Sequence, residues 1–131
     1  ALPVSLRDLP ATLLSLATAT PNKTFPGASL ARFWSGGLLQ AEPVLSEVQQ
    51  AVRMPEWYPA AGGTLRALTD TSHHFILNPK GPPQLFDWRA DPDERINLAG
   101  TPAGDSLVPR YEGPLRALPP FPSPARKVEF P

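Results

Sequence analysis

At 131 residues the chain is long enough for one modest domain with a thin core. Its twelve basic residues balance twelve acidic ones without a Lys/Arg cluster, so neither a nucleic acid nor an anionic membrane is an expected partner. No apolar run approaches the roughly 20 residues that cross a bilayer, and with no cysteine there is neither a disulfide framework nor a thiolate metal site.

Leu6, Leu9, Leu13 and Leu16 recur at helical spacing, which predicts an amphipathic helix from about Leu9 to Ala17. Pro10 is tolerated in its first turn if Asp8 is the N-cap and residues 5–9 form a tighter entry. Pro21, Pro26 and Gly27 mark a loop, after which Ser29 caps a short helix through Leu30, Phe33 and Trp34.

From Pro43 the period changes to two, and four strands follow: 43–48, 64–69, 72–78 and 84–88. A loop with Met54, Trp57 and Tyr58 separates the first two. Asp70-Thr71 joins the second and third as a hairpin, where Thr71 disfavours a tight type I′ turn. Asn78-Pro79-Lys80-Gly81 has the composition of a type I turn. A sheet of this size needs a cover on its apolar face, and the leucine-rich helix and a partner domain are the covers the sequence offers.

Asp91-Pro92-Asp93-Glu94 reads as a helix start, with Gly100 as its stop. Beyond it the proline-dense stretch from Thr101 reads as an extended tail. The expected fold class is α+β: a small four-stranded antiparallel sheet with an N-terminal amphipathic helix and short flanking helices. The expected division is 1–40 helix and loop, 41–100 sheet subdomain, and 101–131 tail. The start, Ala1-Leu2-Pro3, has no initiator Met and fits a piece of a longer chain.

The chemistry-bearing residues are sparse. His73 and His74 are the candidate substrate-binding residues, yet neighbours in a strand point to opposite faces, so they do not form one acid/base unit. The bland reading of each is a packed or solvated hairpin histidine. Arg53 and Arg66 carry the fork that matches a sulfate or carboxylate, with surface ion pairing as the plainer role. Trp57-Tyr58 reads either as a sugar-stacking platform or as a core plug under a loop. Asp87, Asp91, Asp93 and Glu94 lie close in sequence but lack the Gly and terminal Glu of a calcium loop, which favours helix capping. No catalytic residue and no metal ligand is assigned within the chain.

Two stretches resemble the type I sulfatases of the alkaline phosphatase superfamily. Residues 4–17, VSLRDLPATLLSLA, resemble a segment in which a helix closes the large catalytic domain, with Pro10 and Ala11 in the reverse of the usual order. Residues 83–99, PQLFDWRADPDERINLA, are similar to the signature of the family's C-terminal subdomain. Between them, Phe25 to Leu30, Val44 to Glu47 and Arg66 to Ile76 fall in the family's order, so the likeness spans residue 4 to about 100.

The resemblance implies a small antiparallel sheet docked beside a larger catalytic sulfatase chain or domain. It also implies a formylglycine nucleophile, made within a C/S-x-P-x-R motif, and a calcium ion, both in that larger part. This chain has no such motif. The leading expectation is therefore the C-terminal part of a sulfuric ester hydrolase, completing the fold and shaping one wall of the substrate cleft without catalysis of its own. The rival expectations are a free-standing glycan- or protein-binding module, and the C-terminal part of a related phosphodiester or phosphonate hydrolase.

Overall fold

A computed structural model describes residues 2–18, 25–34, 41–50 and 55–120. The chain begins with a tight entry, in which the Asp8 amide donates to the Ser5 carbonyl at 3.0 Å and the Leu9 amide to the Leu6 carbonyl at 3.1 Å. Helix α1, Asp8–Thr18, grows from it. Asp8 is not the cap that the sequence suggested, because its carboxylate accepts the Ala28 amide at 3.0 Å and so fastens the following loop to the helix.

The face that α1 buries is small and polar. Ala11 and Thr12 are buried. The Thr12 hydroxyl accepts the Leu30 amide at 2.8 Å, and Ser15 meets Ser29 at 2.6 Å, hydroxyl to hydroxyl. These bonds hold the short 3-10 turn Leu30–Phe33, which Ser29 caps through the Ala31 amide. The leucines consequently face outward: Leu6 is 87% and Leu13 60% exposed, and Leu9 and Leu16 are exposed beside them. The expectation that this helix covers the sheet is corrected, since it packs chiefly on the 3-10 turn and its leucines are exposed.

The sheet is an antiparallel meander in the order β1 (Val44–Val48), β2 (Leu65–Thr69), β3 (His73–Leu77), β4 (Gln84–Asp87). All four strands fall within the expected ones. Between β2 and β3, the Asp70 carboxylate accepts the amides of Ser72 and His73, both at 2.8 Å. Thr71 and Ser72 keep negative φ, so this connection is not a type I′ turn. Between β3 and β4, the Asn78 side-chain oxygen takes the Lys80 and Gly81 amides at 3.0 and 3.1 Å.

The register aligns Leu45, Leu68, Phe75 and Leu85 in one row across the four strands. The cover of this face comes from the region the sequence suggested was an extended tail. Two helices form there: α2, Pro102–Asp105, is capped by the Thr101 hydroxyl, and α3, Val108–Ala117, lays Tyr111 and Leu115 onto Phe75 and Leu85. Phe75 and Tyr111 stack at 5.8 Å between centroids. Each large side chain fully buried here contributes about 1.5–3 kcal/mol. Pro109 occupies the first turn of α3, where its missing donor costs nothing, but Pro114 and Gly113 lie inside the helix and weaken it. Burial at positions 111 and 115, four apart on one face, overrides them.

Arg66 secures the end of α3. Its guanidinium donates to the carbonyls of Leu115 at 3.0 Å and Leu118 at 3.1 Å, and also to that of Pro119, while Nε pairs with Glu47 at 2.9 Å. The last carbonyls of a helix lack internal partners, and a cation is favoured there.

The helix expected from Pro92 does not form. The Ile96 amide bonds to the Asp91 carboxylate at 2.7 Å, and Glu94 takes the left-handed conformation, φ 53°, which interrupts a helix. Asn97 and Leu98 instead continue the outer edge of β4. The Leu85 amide donates to the Asn97 side chain at 2.9 Å and the Leu98 amide to the Leu85 carbonyl at 2.8 Å. Gly104 then crosses this segment so closely that a Cβ on it would lie 1.9 Å from the Leu98 carbonyl oxygen.

Candidate functional site

The two histidines of β3 point to opposite faces of the sheet, as strand geometry requires. His73 lies on the side of α3. Its Nδ1 is 3.2 Å from the Tyr111 hydroxyl, which donates to the Asp70 carboxylate at 2.7 Å. Arg110 stands 3.7 Å from the same carboxylate, and the Trp88 indole donates to the Asp70 carbonyl at 3.0 Å.

Burial works against charge on Asp70, but hydrogen bonds from Tyr111, His73 and Ser72, together with the His73 charge, outweigh it and hold this carboxyl below its ordinary range. Burial pushes the Tyr111 hydroxyl the other way, well above its ordinary value, and the bond to Asp70 and its negative charge add to the effect. An ionised carboxylate held by a neutral tyrosine and two amides is a buttress joining the β2–β3 turn to α3. Its hydrogen bonds are made within the fold. Sequence reasoning placed Asp70 in a turn and gave Tyr111 no role, because their pairing spans 41 positions and forms only when α3 docks.

His74 lies on the face away from α3, with Nδ1 2.6 Å from a carboxylate oxygen of Glu94. Both side chains are partly exposed. A non-glycine residue in the left-handed region costs on the order of 1 kcal/mol or more, so the Glu94 backbone is held there by its surroundings, with the Asp91 cap on one side and His74 on the other.

The remaining candidates separate. Arg66 is committed to Glu47 and the end of α3, so an oxyanion would have to displace those partners. Arg53 and Met54 lie outside the described residues. Trp57 and Tyr58 are not a core plug: they are 80% and 41% exposed and meet edge to face at 5.9 Å.

The acids 87–94 do not suit the calcium ion that a sulfatase requires, since each has another commitment. Asp87 accepts the amides of Arg89 and Ala90 at 3.1 and 3.0 Å, Asp91 accepts that of Ile96, Asp93 pairs with Arg95 at 2.9 Å, and Glu94 pairs with His74. Among the described residues no three His, Cys, Asp or Glu side chains converge as a metal-binding set.

The chain matches no protein-family model and no curated protein. It does share its fold with parts of larger solved structures. A phosphonate monoester hydrolase from Silicibacter pomeroyi is 24% identical with a TM-score of 0.58, over 79% of this chain and 22% of that one. The phosphonate monoester hydrolase of Agrobacterium radiobacter is 20% identical with a TM-score of 0.60, over 83% of this chain and 23% of that one. A 2-O GAG sulfatase is 25% identical with a TM-score of 0.53, over 89% of this chain and 27% of that one. This chain therefore spans about a quarter of the length of each.

Proposed function

We propose that this chain is the C-terminal part of a hydrolase of sulfate or phosphonate esters, where it completes the fold beside a larger catalytic body and performs no chemistry of its own. The observation that carries this reading is the partial correspondence itself: 79% to 89% of the chain aligns with only 22% to 27% of three such hydrolases. The uncovered leucine stripe of α1 is consistent with it, because an apolar helix face is stable when it rests on another surface.

In this reading the formylglycine nucleophile and the calcium ion belong to the larger body. The acids of residues 87–94 are turn and ion-pair residues. His74, on the face away from α3, is assigned in this reading to a cleft between the two parts, while His73 bonds to Tyr111 on the α3 side. The neighbours include both ester classes, so the proposal is made at the level they share.

The test is expression of the coding sequence upstream of Ala1 together with this chain. The expected result is a C/S-x-P-x-R motif upstream, co-purification of the two parts, and hydrolysis of an aryl sulfate or a phosphonate monoester by the pair alone. Turnover by the isolated 131-residue chain, or an upstream sequence lacking that motif, would overturn it.

A further inference from the structure

We propose that the aromatic pair Trp57-Tyr58 and the turn bearing Lys80 form a binding site for an anionic saccharide, a site independent of the hydrolase reading. The two walls of the site are fixed by separate local structures.

On one side, the Tyr58 amide donates to the Pro55 carbonyl at 2.9 Å and the Ala61 amide to the Tyr58 carbonyl at 2.8 Å. The 3-10 turn Pro59–Gly62 that follows is anchored by the fully buried Ala60, and the Gln50 side chain donates to the Ala61 carbonyl at 2.7 Å. Trp57 is thereby held out into solvent, its ring meeting that of Tyr58 in a T-shaped contact. On the other side, the Asn78 side chain locks the turn 78–81, and the aliphatic stem of Lys80 packs so near Gly62 that a Cβ there would lie 3.1 Å from Lys80 Cδ. Between the walls lies a shallow depression of about 520 Å³, lined by Glu56, Trp57, Tyr58, Pro59, Lys80 and Gly81 among others. That is within the roughly 300–1,000 Å³ of small-molecule sites.

The chemistry selects the ligand. The apolar C–H face of a pyranose ring stacks on a flat indole, and an exposed tryptophan on a braced turn offers that face with little ordering cost. The Lys80 ammonium supplies a point charge for a sulfate or carboxylate on the sugar, and among the described residues no carboxylate pairs with it. Glu56 accepts from ring hydroxyls. Among the described residues the lining carries one cation, Lys80, beside one carboxylate, Glu56, which is not the basic track that a nucleic-acid backbone requires.

Calorimetric titration of the full chain with a chondroitin sulfate tetrasaccharide and with neutral cellotetraose tests the site. The sulfated sugar is expected to bind more tightly. Trp57→Ala should weaken both by about tenfold or more, the scale of losing an aromatic anchor, whereas Lys80→Ala should remove the preference for the sulfated sugar. Trp57 is mostly in water, so the thermal midpoint of Trp57→Ala should match the parent chain. Absence of binding by the parent chain, or affinities unchanged by Trp57→Ala, would overturn the proposal. So would a Trp57→Ala chain that has lost only its association with an upstream catalytic segment, because the patch would then be a protein contact. None of these results depends on hydrolysis.

Discussion

Asp70 is the residue on which the most local structure converges. It organises the β2–β3 turn through two amides and receives the hydroxyl of Tyr111 from α3. Its carboxyl is held below the ordinary value of 3.8 in the folded state, so the unfolded chain binds a proton more readily. That stability is fully present above the unfolded value and is lost as the pH falls through the lower, folded one. The urea midpoint of the parent chain should therefore drop with acidification below about pH 4. Asp70→Asn should flatten this part of the profile while costing about 1–3 kcal/mol at neutral pH. An unchanged acid limb in that variant would show that the buttress does not contribute as described. The histidine pair next to this turn was separable in the sequence by strand alternation alone, but which of the two faced inward was not.

Among the elements, α3 departs furthest from what the sequence suggests. Val108, Tyr111, Leu115 and Leu118 recur at spacings of three and four, a helical signal in plain view. Gly113 and Pro114 mask it, because their intrinsic costs argue against a helix interior. What decides the matter is the row Leu68, Phe75 and Leu85, over which α3 lays Tyr111 and Leu115, with Leu98, Ala99 and Leu107 packed around them. A chain ending at Gly100 should accordingly fail to fold: exposing two such core side chains costs about 3–6 kcal/mol, a large share of the roughly 5–15 kcal/mol that stabilises a domain. Far-UV circular dichroism and amide-proton dispersion check this, and a native-like spectrum from the shortened chain would refute the role given to α3. The loop 91–100 shows the converse error. Its capping pattern is genuine, but Asn97 and Leu98 gain more by bonding to the edge of β4 than by extending a helix.

At the scale of the molecule, β2 to β4 are covered by their own chain, whereas β1 and α1 leave apolar side chains exposed. The core beneath α3 is complete, whereas the leucine stripe is exposed and the opposite side of α1 is held by hydroxyl contacts to residues 25–33. If the stripe seats a catalytic body, Leu13→Lys should leave the urea midpoint of the isolated chain within about 0.5 kcal/mol, as for an ordinary surface change. The same substitution should abolish co-purification with the upstream segment. Size-exclusion chromatography of the paired parts provides the measurement, and undiminished association would exclude α1 from the interface.

The sequence by itself determined the elements whose signals are local. Helix α1 follows from leucine spacing, the Ser29 cap from its hydroxyl, the four strands from alternation, and the turn at Asn78 from its side-chain acceptor. Only the tertiary structure decided which surfaces meet, namely that α3 rather than α1 covers the sheet, that Arg66 reaches the end of a helix as well as its ion-pair partner Glu47, and that Tyr111 finds Asp70. The physical reason is range. Capping, alternation and turn chemistry are settled within a few residues, whereas burial depends on which apolar faces compete for one another across the whole chain, and the winning pairing can override a proline in the middle of a helix.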